Sequence, residues 1–529
     1  MAEPKTLPND TGADDEHVTM THQVVEDVEW QAGPAPLSRS RRIFLLTALA
    51  IVVFLAALDQ TIVATALNQI GADLQGTSSI PWIGTAYLLT STAFCSCYGS
   101  FADIFGRKLI LLSAISIFAI GSLLCGIAKS MVVLILGRAI AGIGGGGLIT
   151  LVLIIIADIT APADRARYQG LMGGVFGLGA VVGPLAGGAL TEHASWRWCF
   201  YLNLPICGVS VAVLAVLLSG KAADGSMSSK LRRIHYTGIA LLTAGCVCLL
   251  LPLQMGGNQW LWKSAQTVTL LIVGALIMAV CAWSTTTVPE PIISPRLFTN
   301  RKAVALLLVS FCLGATFYAE VFYVPTFFEV VHGVSATSAG AESLPLILSV
   351  VFASMVSGHI ISKTNVILVF PFIGAVLSTI GLGLMSTMDA DSARWKFMLY
   401  LIIAGLGSGC VVQTAIVGIQ ASVEADMLAV ATSAIAFIQM LGGVFGIALS
   451  GTVYSTVLQH CLASNAPSVE PSQAQSSSFR KLPEGLQGPL ENCFTQAIQK
   501  TFLLLVPFAG VMFIIMLLAL EPRAGRASR

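Results

Sequence analysis

The chain is divided into apolar segments, each about as long as a helix that crosses a lipid bilayer. A hydrocarbon core of about 30 Å requires about 20 predominantly apolar residues in a helix. The segments are continuous rather than alternating, so they predict helices and not the strands of a barrel. Fourteen such segments can be marked: Ile43–Ala66, Pro81–Ser100, Leu109–Ala128, Met131–Ile156, Tyr168–Leu190, Phe200–Leu218, Tyr236–Leu253, Ala265–Ser284, Ala303–Phe328, Ser338–Ile361, Val366–Ser386, Phe397–Ile419, Leu428–Val457 and Thr501–Leu520.

The composition excludes several other classes of protein. Of the 529 residues, 55% are hydrophobic and only 10% are charged, whereas soluble globular domains carry about 25% charged residues. The 28 Lys and Arg nearly balance the 27 Asp and Glu, and the net charge of +1 gives no basic field that would attract nucleic acid. We therefore expect an all-α polytopic membrane protein in a lipid bilayer, not a soluble enzyme, a nucleic-acid-binding protein or a disordered chain.

The distribution of Lys and Arg predicts the orientation in the membrane. If the N-terminus is cytoplasmic, the tails and inner loops hold 19 of the 28 and the outer loops hold 8, as the positive-inside rule requires. An even number of spans places both termini in the cytoplasm. The plasma membrane is the expected location, and a vacuolar or vesicle membrane is the alternative.

Two charged side chains interrupt these segments. Asp59 lies in the first segment with apolar residues on both sides, and Arg138 lies in the outer half of the fourth. Charged groups inside a membrane are costly and tend to mark function. Asp59 could take up and release a proton during transport, or it could be a structural residue tied to a neighbouring donor. Arg138 needs a carboxylate or carbonyl partners, unless it reaches the outer surface.

The turn between the second and third segments contains a second motif. It carries Gly99, Asp103, Gly106, Arg107 and Lys108 at fixed spacing. Glycine permits close backbone approach and tight turns, and Asp103 can pair with Arg107 or with a neighbouring helix end. The two cations also satisfy the positive-inside rule, but that rule requires neither Asp103 nor the glycines.

The fifth segment is rich in small residues at four-residue spacing. Gly179, Gly183 and Gly187 repeat in this way, with Pro184 and Gly188 beside them. Such spacing lets two helices touch backbone to backbone in a membrane, and a proline introduces a kink.

Together these motifs resemble the major facilitator superfamily and, within it, the fourteen-span drug:proton antiporter family. The turn after the second segment matches the loop signature of the superfamily. The glycine–proline set resembles the antiporter motif of its exporters. The sixth segment opens with a Trp-Arg-Trp…Phe…Asn-x-Pro sequence typical of the fourteen-span family, carried by Trp196, Arg197, Trp198, Phe200, Asn203 and Pro205. The resemblance extends from about residue 43 to 457 and includes the last span.

The resemblance implies the division of the chain. Residues 1–42 would form a disordered cytoplasmic tail, 43–218 an N-terminal six-helix half, 219–302 two inserted helices with linkers, and 303–520 a C-terminal six-helix half. A long outer loop is expected at 459–500 and a cytoplasmic tail at 521–529. Cys461 and Cys493 bracket the loop. A disulfide between them is chemically allowed outside the cell, and two free thiols are the alternative.

The resemblance also implies the activity. A monomeric transporter would export small amphipathic compounds, such as a toxin, secondary metabolite or drug, by alternating access of its halves in exchange for protons. Asp59 and Arg138 would couple transport to protons. No cofactor or metal is expected, and the ATP-binding motif GxxxxGK[ST] does not occur in the sequence. A proton-coupled importer or facilitator of a metabolite and a non-transporting membrane sensor are the alternatives.

Three further polar residues are candidates for the substrate cavity. Glu320 interrupts the ninth segment, and it could contact a cationic substrate, bind a second proton or lie in water at the outer mouth. Gln413 and Gln439 could hydrogen-bond a substrate without a charge penalty, or they could instead join helices.

Overall fold

The computed structural model describes residues 38–76, 79–218, 226–256, 260, 262–286, 288, 291–389, 392–465 and 484–520. Within these residues the regular structure beyond one isolated bridge is helical. Fourteen of the described helices have fifteen residues or more. They are α1 Arg39–Ile62, α2 Ile80–Phe105, α3 Arg107–Gly126, α4 Met131–Ile159, α5 Pro162–His193, α6 Asn203–Leu217, α7 Tyr236–Met255, α8 Ala265–Ser284, α9 Arg301–Val330, α10 Leu344–Thr364, α11 Val369–Met385, α12 Arg394–Ala421, α13 Leu428–Asn465 and α14 Glu484–Leu520.

Short helices connect several of these. The described ones are the 3₁₀ turns Val63–Ala66 and Ala425–Met427 and the α-helices Leu67–Asp73, Trp198–Tyr201, Met227–Arg233, Arg296–Thr299 and Ala336–Glu342. Two predicted spans are therefore interrupted. The sixth breaks between Tyr201 and Asn203, and the tenth breaks at Ser343.

Twelve of the described helices are long and apolar enough to cross a membrane. The other two predicted spans correspond to α2, which is rich in Ser and Thr, and to α11, which has 17 residues. The all-helical membrane architecture is confirmed, whereas the number of fourteen spans stays a prediction.

The helices pack as two groups with α7 and α8 added. Helices α1–α6 form one group and α9–α14 the other. The fifth helix of each group packs against the first helix of its own group, so that α5 lies on α1 and α13 on α9. The two groups meet where α5 packs against α10 and α2 against α13. Helices α7 and α8 pack against each other, and α7 also contacts α2 and α13.

The predicted loop at residues 459–500 is largely helical in the described residues. Helix α13 continues to Asn465 and α14 begins at Glu484, and residues 466–483 lie outside the described residues. The extension packs through buried side chains at helical spacing, namely Leu458, Cys461, Leu462, Leu490, Cys493, Phe494, Ala497 and Ile498. The polar composition of this stretch hides its apolar stripe. The predicted tails, apart from 38–42, also lie outside the described residues.

Candidate functional site

A buried cluster of polar side chains joins α1, α4 and α6. Arg138 Nη1 lies 2.8 Å from Asp59 Oδ2, and Asn203 Nδ2 donates to Asp59 Oδ1 at 2.9 Å. Asp59 and Asn203 are 0% exposed and Arg138 is 3% exposed. Both predicted charged residues are thus brought together, and Arg138 does not reach the surface.

The rest of the cluster holds the Arg138 guanidinium in place. Its Nε donates to the Ile83 carbonyl oxygen at 3.3 Å, and its Cζ lies 4.2 Å from the centre of the Tyr87 ring. A guanidinium is attracted to an aromatic face. Asn203 Nδ2 also lies 3.2 Å from Ser122 Oγ. The Asp59 carboxylate and the Arg138 guanidinium therefore both have partners, as burial of a charge in an apolar bundle requires.

Glycines of α4 allow the neighbouring helices to approach this cluster. A Cβ on Gly142 would lie 2.4 Å from the Tyr87 carbonyl oxygen, and one on Gly145 would lie 2.4 Å from the Tyr87 hydroxyl. Larger residues there would displace α2, and with it the aromatic ring over Arg138.

The glycine–proline set of α5 packs against α1 beside Asp59. A Cβ on Gly179 would lie 2.8 Å from the Phe54 carbonyl oxygen, one on Gly183 1.9 Å from Thr61 Oγ1, and one on Gly187 2.4 Å from the Ile62 carbonyl oxygen. These three glycines therefore define the close contact of α5 with α1.

The other two members of the set behave differently. A Cβ on Gly188 would have no atom of the described residues within 4 Å, so this glycine takes no part in the close contact of α5 with α1. Pro184 lies inside α5, where it removes one helical hydrogen bond.

The predicted loop motif between the second and third segments surrounds the turn at Gly106. The φ of Gly106, 93°, lies in the region that glycine favours. We call this end of the bundle the inner end, because the charge distribution predicts that it is cytoplasmic. Arg107 lies 2.7 Å from Asp103 Oδ1 and also 2.7 Å from Asp158 Oδ2 at the end of α4. Lys108 Nζ donates to the Ala215 carbonyl oxygen of α6 at 2.5 Å. The motif thus joins α2, α3, α4 and α6.

The two helix groups are in close contact at the inner end. A Cβ on Gly99 would lie 2.6 Å from the Ala429 carbonyl oxygen of α13. Gln169 Nε2 of α5 donates to Gln420 Oε1 of α12 at 2.8 Å, and Gln413 Nε2 donates to the Ala166 carbonyl oxygen at 3.0 Å. Gln413 therefore joins helices in this conformation, which is the alternative that its sequence position left open.

The remaining cavity candidates lie on α9 and α13. Glu320 is 0% exposed, so it does not lie in water at an outer mouth. Gln439 is half-buried, and its carbonyl oxygen would lie 2.0 Å from a Cβ on Gly314. At the opposite end of the bundle a disulfide joins Cys461 to Cys493, with 5.5 Å between their Cα atoms.

Several residues of the site did not stand out in the sequence. Asn203 belongs to the motif at the start of the sixth span, but nothing in that motif indicates that its amide contacts Asp59. Gln169 and Gln420 are polar residues in apolar segments, which is the signal that could have identified them. Asp158 follows an apolar run in α4 and resembles an ordinary helix end.

The comparison with known families identifies the class. Residues 49–447 match the model of the Major Facilitator Superfamily. The chain belongs to this superfamily of membrane transporters.

Individual proteins agree with this assignment. The chain is 34% identical over 498 residues to a protein named MFS-type transporter astH of Aspergillus oryzae, covering 92% of this chain and 87% of that one. It is 35% identical over 455 residues to a protein named efflux pump hmp6 of Hypomyces subiculosus, covering 84% and 81%. The structure of the human organic anion transporter MFSD10 (TETRAN) superimposes with a TM-score of 0.57 at 13% identity, covering 89% of this chain and 99% of that chain. This last likeness shows the fold alone.

Proposed function

We propose that this protein is a proton-coupled secondary transporter that exports small amphipathic compounds from the cytoplasm by alternating access. The observation that supports it most directly is the Asp59–Arg138 ion pair, which is buried inside the first helix group and lies beside the contact of α5 with α1. Relatives named as efflux pumps support the direction of transport. The plasma membrane, cytoplasmic termini and a monomer are part of the same proposal.

The ion pair suits proton coupling because its two members respond differently to a proton. A guanidinium keeps its charge at physiological pH, so a proton on Asp59 would leave Arg138 as a buried cation without its carboxylate. Such a state is costly, and a conformational change that brings water or other acceptors to Arg138 would relieve it. Protonation at the outer side would therefore favour one conformation, and release at the inner side the other.

The inner-end contacts suit the gating part of the cycle. Opening towards the cytoplasm would separate Gln169 from Gln420 and Gln413 from Ala166. These are bonds of neutral groups, and such bonds average only about 0.6 kcal/mol between membrane helices. Opening would also free the Gln413 amide, so that Gln413, with Gln439 and Glu320, could line a substrate cavity.

Energised efflux from a pump-deficient yeast tests the proposal. Cells are loaded with a fluorescent amphipathic dye, and a protonophore is added halfway through each run. Wild type, Asp59→Asn and the control Asp426→Asn, whose side chain is exposed before α13, are compared at equal surface expression. We expect wild type and the control to export the dye until the protonophore is added and then to stop. We expect Asp59→Asn to export none. Efflux that continues after the protonophore is added and is unchanged in Asp59→Asn would instead establish a facilitator. Dye uptake would establish an importer.

A further inference from the structure

The buried carboxyl group of Glu320 lies without a hydrogen-bonding partner among the described residues. Glu320 lies on α9 in the second helix group and is fully buried. Neither Oε1 nor Oε2 has a hydrogen-bond partner in the described part of the chain. A buried carboxylate is normally paired or hydrogen-bonded, because an isolated charge in apolar surroundings is very costly. Asp59, by contrast, contacts both the Arg138 guanidinium and the Asn203 side-chain amide.

The internal repeat of the chain relates Glu320 to Asp59. Helices α5 and α13 each contain the sequence Gly-Gly-Val-Phe-Gly, at 173–177 and 442–446, an offset of 269 residues. Gly179 faces Ala57 and Gly183 faces Thr61, so residue 181 is level with Asp59. With this offset, residue 181 of α5 corresponds to residue 450 of α13.

The second helix group places residue 450 of α13 beside residue 319 of α9. Gly446 faces Ala315, and the rings of Tyr323 and Tyr454 are 5.7 Å apart. Both contacts give the same alignment of α13 with α9, and this alignment places residue 450 beside residue 319. Glu320 is therefore within one residue of the position that corresponds to Asp59, on the first helix of the other half.

Among the described residues, the cation that accompanies Asp59 has no equivalent beside Glu320. Helix α12 corresponds to α4, and it runs antiparallel to α9 with Phe397 beside Phe327 and Gly418 beside Leu306. This register places Ala404 and Ser408 near the depth of Glu320. The Ser408 hydroxyl is buried and also lacks a hydrogen-bond partner among the described residues.

Other ionisable groups on the elements packed against α9 do not supply the missing charge. The charged members lie near the ends of their helices, except for Glu491 and Lys500, which precede the predicted span Thr501–Leu520 of α14, and the members within the spans are Tyr and Cys side chains. Outside α9 itself, the described ones are Arg296, Glu342, Arg394, Lys396, Tyr400, Cys410, Tyr454, His460, Glu491 and Lys500. On α9 they are Arg301, Lys302, Cys312, Tyr318, Tyr323 and Glu329.

We propose that Glu320 is a second proton-binding site of the transport cycle, separate from the Asp59–Arg138 pair. This inference rests on the proposed proton-coupled transport. The carboxyl group is neutral in the conformation described here, with the proton on one of its oxygens. When that helix group opens to water at the inner end, the O–H bond breaks and water accepts the proton. At the outer end the carboxylate takes up another.

Reconstituted protein can count the protons. Purified transporter in liposomes is given a pH gradient and a fluorescent amphipathic dye, and dye movement and proton movement are recorded together. Glu320→Gln keeps the shape of a neutral carboxyl group but cannot release a proton. Glu329→Gln, a half-buried position on the same helix, is the matched control. We expect Glu320→Gln to lower the number of protons per dye by one, and the control to leave it unchanged.

The same change appears in the steady-state dye gradient. Each coupled proton contributes a factor of ten per unit of pH difference, since one pH unit is equivalent to about 1.4 kcal/mol. Glu320→Gln should therefore accumulate about tenfold less dye per pH unit, and Glu320→Asp, which retains a titratable group, should not show that loss. An unchanged ratio in Glu320→Gln would overturn the proposal. If Glu320→Gln does not fold, Glu320→Leu, which also lacks a titratable group, replaces it with the same expected loss, and an unchanged ratio in that variant overturns the proposal.

A measurement without substrate separates this inference from the proposed function. Infrared difference spectra of the purified protein report a protonated carboxylic acid, and its band should disappear in Glu320→Gln but remain in Glu329→Gln. If the band is absent from wild type at neutral pH, Glu320 is not the proton carrier, even where dye transport is proton-coupled. If wild type moves dye without protons, the proposed function itself fails, whatever the band shows.

Discussion

Replacing Asp59 by Asn should destabilise the folded protein because it leaves Arg138 buried without its carboxylate. The guanidinium would keep the Ile83 carbonyl oxygen at 3.3 Å and the Tyr87 ring at 4.2 Å. A cation–π contact supplies about 0.5–2 kcal/mol, whereas removal of one partner of a buried ion pair costs about 3–5 kcal/mol. The remaining contacts are therefore too weak to compensate, and we expect a loss of about 3 kcal/mol or more.

The reciprocal change should cost a similar amount, and the two losses should not add. Arg138→Gln leaves Asp59 with only the Asn203 amide of its two observed partners. In the double variant Asp59→Asn/Arg138→Gln both side chains are neutral amides that can hydrogen-bond to each other. Replacement of a whole buried pair by hydrophobic residues is often nearly neutral for stability, since it leaves no buried charge without its partner, and the amide pair likewise leaves none. A coupling energy of about 3 kcal/mol is therefore expected between the two positions.

The four proteins form a double-mutant cycle, measured as free energies of unfolding in mixed detergent micelles. Losses that add to within about 0.5 kcal/mol would show that the pair contributes no interaction energy, despite its 2.8 Å contact. The cycle also separates folding from coupling. The double variant should regain stability but should still not export the dye, because it has neither the carboxylate nor the cation.

Three other changes have direct expectations. Gly183→Leu should abolish dye efflux, since even a Cβ there would lie 1.9 Å from Thr61 Oγ1. Gly188→Leu should retain efflux in the same assay, since a Cβ there has no described atom within 4 Å. Gln169→Leu removes a hydrogen bond of 2.8 Å between the halves, so it should shift the population towards inner-open protein by about threefold, the equivalent of about 0.6 kcal/mol, as measured by inner-end cysteine labelling; unchanged labelling would mean that the bond does not stabilise closure. Cys461→Ser opens a disulfide that closes 32 residues of chain, and it should lower the free energy of unfolding by about 2–4 kcal/mol, to the value that wild type shows in reductant.

The apolar segments could be predicted from the sequence because burial in lipid requires long apolar runs, whatever the helices later contact. Their ends could not. Helices α13 and α14 extend beyond the predicted membrane and pair through an apolar stripe that includes Leu458, Leu462 and Phe494. Average hydropathy cannot detect such a stripe among polar residues, since the signal lies in the spacing of the apolar residues and not in their number.

The charged residues of the site could also be predicted, because a charge inside an apolar helix is visible without any structure. The residues that they contact depend on how each helix is rotated about its own axis. Asn203 contacts Asp59 from 144 positions away, and only the packing of α6 against α1 brings the amide to it. Gln169 and Gln420 are separated by 251 positions and meet where the halves close. A sequence shows the depth of such residues but not the direction in which they point.

The Asp59–Arg138 pair lies entirely within the first helix group, and this restricts how a proton could move the halves. The pair does not bridge the groups as the Gln169 hydrogen bond does, so protonation cannot act by releasing a lock between them. Helix α5 provides a direct physical route. It packs against α1 beside Asp59 through Gly179 and Gly183, and against Val351 of α10 through Gly177. A change in the position of α1 that follows loss of the ion pair would displace α5, and α5 cannot move without disturbing the contact that closes the inner end.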